Sequence, residues 1–163
     1  DLKHAFAIES DCDKFKGFVT QHKNNLDRVG LSLDKVYVQN LCQNYFEKET
    51  SKNLKVWKAA AKEFWIEHLK NELDELFDPG IPVLMTSQYL LEVLGSEKWN
   101  RIQAPDFYQC KVAIPIPANE NKLGRPLIPI YRGRNPKTKI SYLFKNNPVW
   151  DEYKSRIKEI VKS

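Results

Sequence analysis

Residues 52–77, KNLKVWKAAAKEFWIEHLKNELDELF, read as one long amphipathic helix, and burying its apolar side constrains the rest of the fold. Leu54, Trp57, Ala61, Trp65, Leu69, Leu73 and Leu76 recur at helical spacing along one stripe, with Phe64, His68 and Phe77 beside it. Ala, Leu, Lys and Glu dominate the segment, and these side chains lose little freedom in a helix. Asp78, Pro79 and Gly80 end it, because proline cannot continue the ladder of hydrogen bonds and glycine turns the chain cheaply. A stripe of this length needs partner helices.

Two are expected upstream. Ser10 is a good N-cap for a helix carrying Phe15, Phe18, Val19, His22 and Leu26 on one face. Asp11 and Asp13 suit the positive end of its dipole, and Gly30 suits its stop. A second helix is expected after Ser32, with Val38, Leu41, Cys42 and Tyr45 aligned. The opening decapeptide reads as an arm or a strand. Downstream, Thr86 or Ser87 can cap a short helix with Tyr89 or Leu90, Leu91 and Leu94 inward. Gly95 can end it in the left-handed conformation, and Ser96 can cap a further turn through Trp99 and Ile102.

From Phe107 the texture changes. FYQCKVAIPIP, PLIPIY and KISYLF are short β-branched and aromatic runs separated by turn-like ANENKLGR and RGRNPKT. Pro115, Pro117, Pro126 and Pro129 suit strand ends or edges. NPVWDEYKSRIKEIVK closes the chain as a helix burying Val149 or Trp150, Tyr153, Ile157 and Ile160 or Val161. The expected fold is one α+β domain over residues 1–163. An N-terminal helical bundle and a helix-turn-helix-like hairpin make up about 10–103. A strand-rich basic part covers about 105–145, its small antiparallel sheet covered by a C-terminal helix at about 148–162.

Charge suggests the partner. The chain carries a net +5, and residues 122–145 hold seven lysines and arginines with no acidic side chain. Acidic residues gather instead in ELDELFD at 72–78. Edge lysines can discourage strand aggregation, but a mixed-sign edge would do so equally well. Lys122, Arg125, Arg132, Arg134, Lys137 and Lys139 are therefore expected to hold phosphates, with Tyr131 offering a stacking surface among them. Tyr142, Phe144 and Lys145 lie on the same stretch. In the 86–103 hairpin, Lys98, Asn100 and Arg101 are candidate base-side or further backbone contacts. Leu91 is bulky where a DNA-reading pair of helices crosses, and Ser96 is polar where such a unit points an apolar residue inward.

The expected function is a nucleic-acid-binding module, winged-helix-like in plan, for DNA in preference to RNA. One alternative is a metal-independent ribonuclease of toxin type using Tyr131, Arg132, Arg134 and Tyr142. Another is a protein-interaction domain docking through its aromatic-rich helices, where Phe46, Val56 and Ile66 lie off the main stripe. No cofactor or metal is expected. His4, His22 and His68 are far apart, with His68 expected to be partly buried. Asp106, in PDFYQCK, stands too close to Lys111 for a magnesium-nuclease strand, and Gln109 fills the place of the second acid. Cys12, Cys42 and Cys110 are odd in number and widely spaced, which suits reduced thiols in a cytoplasmic or nuclear protein. No run is long and apolar enough for a membrane span, so no membrane partner is expected.

Overall fold

The computed structural model describes residues 20, 23–43, 52–131 and 148–162 as a mixed fold of helices and one small sheet. The opening arm, the face from Phe15 to His22, Tyr45, the RGRNPKT turn and the KISYLF run lie outside these residues.

The long helix forms as α1 (Leu54–Ala60), a π turn (Ala61–Trp65) and α2 (Ile66–Leu76), with helical backbone at each junction. Its buried residues are Trp57, Ala61, Ile66, Leu69 and Leu73, so the step from Ala61 to Ile66 is five residues. A π turn adds one residue to a helical turn and rotates the face of everything after it. The stripe expected from a constant period is corrected accordingly. Ile66 is core, Trp65 is half-buried, and Phe64 and Leu76 are 62% and 56% exposed. His68 is exposed too, its ring meeting Trp65 edge-on at 5.5 Å.

Upstream, residues 23–28 are helical, and Gly30 stops them in the left-handed region at φ +80°. The helix expected after Ser32 is a short 3-10 turn (Leu33–Lys35), followed by extended backbone at Val36. Side-chain anchoring overrides the helical pattern here. The Tyr37 hydroxyl donates to Glu72 Oε1, and Gln39 and Gln43 donate to the same carboxylate at 3.3 and 3.2 Å. The Tyr37 ring also packs against Phe77 at 5.4 Å, so this segment runs as a strap across α2.

The sheet pairs β1 (Val83–Met85) with β2 (Leu127–Pro129) in parallel, register Val83 to Leu127. The expected antiparallel sheet is thus a parallel pair among the described residues, and its first strand comes from IPVLM after the Pro-Gly turn. Between the strands lie α3 (Gln88–Leu94), a 3-10 turn (Glu97–Arg101), α4 (Ala104–Tyr108) and a second 3-10 turn (Ala118–Glu120). The run FYQCKVAIPIP is not a strand. Its first residues belong to α4, where Pro105 occupies the first turn and Asp106 Oδ2 accepts from Gln103 N at 3.1 Å. Cys110 then turns the chain at φ +54°, and only Ile116 pairs, through an isolated antiparallel bridge to Leu127.

The core joins Met85, Leu91, Leu94, Phe107, Ile116, Leu123, Leu127 and Ile128 to Tyr153 and Ile157 of α5 (Pro148–Ile160). Helix α5 packs against α4 and reaches β2 through Tyr153. Tyr153 donates to the Pro129 carbonyl at 2.5 Å and Tyr108 to that of Ile130 at 3.3 Å. Burial pushes both hydroxyls well above the ordinary tyrosine pKa, which keeps them protonated as donors.

Candidate nucleic-acid interface

Ser87 opens α3 by accepting from Leu90 N at 3.3 Å, the cap its sequence predicts. The exit differs. Gly95 leaves α3 at φ −68°, ψ 158°, not in the left-handed region. Glycine is needed there for room, since a Cβ would stand 2.8 Å from the Leu91 carbonyl and 2.9 Å from Trp99 Cβ. Trp99 is buried against Phe107, and the second helix of the expected hairpin is the five-residue 3-10 turn. Lys98, Asn100 and Arg101 sit exposed on that turn.

Backbone bonds bring the 118–122 loop alongside. Ser96 N donates to Glu120 O at 3.0 Å, and Lys122 N to Leu94 O at 2.8 Å. Lys98 Nζ meets both carboxylate oxygens of Glu120 at 3.0 and 2.9 Å and lies 4.9 Å from the Trp99 ring centroid. Asn121 shapes the loop by accepting from Leu123 N and Gly124 N while donating to the carbonyls of Pro117 and Arg125. Lys122 is exposed, yet its ammonium titrates below the ordinary lysine value through partial desolvation and the nearby charge of Lys62.

Arg125 requires a correction. Its side chain is 1% exposed, and its guanidinium is spent inside the fold. Nη1 donates to Asp78 O at 2.6 Å, and Nη2 to the carbonyls of Leu73 and Phe77, both at 2.7 Å. Nε and Nη2 share Asp74 Oδ1 at 3.2 and 2.9 Å. It therefore caps α2 and has no donor facing a phosphate.

Tyr131 is half-buried, with its ring edge-on to Tyr108 at 5.4 Å and to Trp150 at 5.5 Å. That packing makes it part of the clasp between β2 and α5 and takes away the open stacking face expected of it. Arg132, Arg134, Lys137 and Lys139 lie outside the described residues, as do Tyr142, Phe144 and Lys145. Of the sequence-derived set, then, the structure gathers Lys98 and Lys122 through the 118–122 loop, with Asn100 and Arg101 on the turn that carries Lys98. Lys62, on the long helix, is the residue sequence reasoning missed. No local pattern could have shown that its charge reaches Lys122.

Among the described residues, no group of three or more His, Cys, Asp or Glu side chains is placed to hold a metal. Asp106 has a structural task at the start of α4 and only a loose 3.9 Å approach to Lys111. Cys42 is a half-buried thiol whose pKa burial raises to about 11, so it is held as the neutral thiol. No helix among these residues is long and apolar enough to cross a membrane. Comparison with protein-family models, curated proteins and solved structures gives no match.

Proposed function

We propose that the chain is a nucleic-acid-binding module, for duplex DNA in preference to RNA, that grips the phosphate backbone with cations from separate loops. The observation carrying this reading is the docking of the 118–122 loop on the 97–101 turn. It sets the exposed Lys122 beside a turn that presents Asn100 and Arg101, while Lys98 of that turn is paired with Glu120. Cations at several separations suit a phosphate strand, and an asparagine and an arginine on the same turn are side chains that can pair base edges. By sequence, the stretch from 132 to 145 adds five more lysines and arginines and no acid. Arg125 has no part in that grip.

Binding of a labelled DNA duplex across a salt series tests the reading. If about four cations neutralise phosphates, log affinity falls against log salt with a slope of roughly −3 to −4. A response flatter than about −1 ends the proposal. A duplex of RNA with the same sequence, binding more tightly than the DNA, would reverse the stated preference.

A further inference from the structure

We propose, on the reading just given, that Lys62 and Lys122 form a two-lysine clamp on the nucleic-acid backbone, so that the long helix itself supplies a phosphate contact. The two residues are far apart in sequence, and the fold brings them together through contacts on either side. At one end Lys58, a turn before Lys62, pairs with Glu92 of α3. The last residue of α3, Leu94, accepts from Lys122 N. At the other end Gly124 approaches Lys70, whose Cε would lie 3.8 Å from a Cβ built on that glycine. The 122–124 loop thus lies against the helix at Lys70, near enough for the charge of Lys62 to act on Lys122.

Three carboxylates around the loop are already engaged. Glu92 is held by Lys58, Glu120 by Lys98 at 2.9 Å, and Asp74 by Lys70 at 2.8 Å and by Arg125. Lys62 and Lys122 are both exposed, and neither has a carboxylate within ion-pair distance among the described residues. Two like charges near each other repel, and neither is relieved by an ion pair among the described residues. A phosphate between them would, while releasing the counterions it carried. Lysine suits that task because it binds phosphate as a point charge and needs no fixed fork of donors.

The full 163-residue chain, titrated with a labelled DNA duplex from about 50 to 200 mM salt, tests the clamp. Lys62→Gln with Lys122→Gln should flatten the slope by about 1.8, the loss of two phosphate contacts. Lys35→Gln with Lys162→Gln removes the same net charge from two other exposed lysines and should leave the slope within about 0.5 of the unsubstituted chain. Lys62→Arg with Lys122→Arg keeps the charge and should keep the slope. If the clamp pair and the control pair behave alike while the chain still binds, the clamp is wrong and the broader reading stands. If the unsubstituted chain shows no salt-dependent binding, both fall.

Discussion

The last carbonyls of a helix have no intrahelical donor, and at the end of α2 a side chain from a remote loop provides one. Arg125 bonds the carbonyls of Leu73, Phe77 and Asp78 and pairs with Asp74, tying the start of β2 to the end of the helix. Arg125→Met should cost about 2–3 kcal/mol in denaturant unfolding, because it takes the charged donor from the Phe77 carbonyl and leaves those of Leu73 and Asp78 with only their backbone bonds from Phe77 N and Ile81 N. Asp74→Asn should cost less than about 1 kcal/mol, since that carboxylate is solvated and the three carbonyl bonds survive. Equal losses would mean that the ion pair, not the cap, is what matters. Glu72 gives a pH-dependent counterpart. The Tyr37 hydroxyl, then Gln39, Gln43 and the charge of His68, hold its carboxyl below the ordinary value of 4.5. A depressed folded pKa means the anchoring is complete above 4.5 and is lost as pH falls through the lower, folded value. Amide exchange at residues 37–43 should therefore accelerate on acidification, and Glu72→Gln should remove that dependence. Exchange indifferent to pH in the unsubstituted chain, after correction for intrinsic rates, would refute the strap.

At the scale of elements, the π turn decides which residues of the long helix are core. Ile66→Ala should cost about 2–4 kcal/mol, whereas Phe64→Lys, two residues away, should stay within about 0.5 kcal/mol. A constant helical period would reverse that order, so paired unfolding curves separate the two. Gly95 shows the same dependence on neighbours. Its φ is ordinary for any residue, and its lack of a Cβ matters because the Leu91 carbonyl and Trp99 leave no space. The glycine was legible as the end of α3, but the left-handed exit was not what the packing required. The strap at 36–43 has apolar residues at helical spacing and still forms no helix, because bonds to Glu72 are available only when α2 is beside it.

At the scale of the molecule, α5 against α4 and the end of β2 closes the core, and its buried Trp150, Tyr153 and Ile157 follow the predicted spacing. Trp150 and Tyr153 stack at 5.0 Å, and their cluster takes in Tyr108 and Tyr131, which turns a candidate ligand surface into packing. Charge is redistributed in the same way. The acidic end of α2 neutralises Arg125, one cation of the basic stretch, while the charge of Lys62 on the helix reaches Lys122 of that stretch. Salt-dependent binding should consequently survive Tyr131→Phe, which leaves the ring and every candidate phosphate contact in place. A drop of tenfold or more in affinity would return that hydroxyl to the interface.

By itself the sequence determined the long helix, its Pro-Gly stop, the Ser87 cap, the Gly30 stop and the C-terminal helix. Each of these rests on bonds and apolar spacing within a few residues. Tertiary structure alone decided the parallel pairing of β1 with β2, the turn of phase at Ala61–Trp65, and which cations meet solvent. The pairing and the Arg125 cap depend on groups more than forty residues apart, such as Val83 with Leu127 and Arg125 with Leu73, and no local window contains both partners.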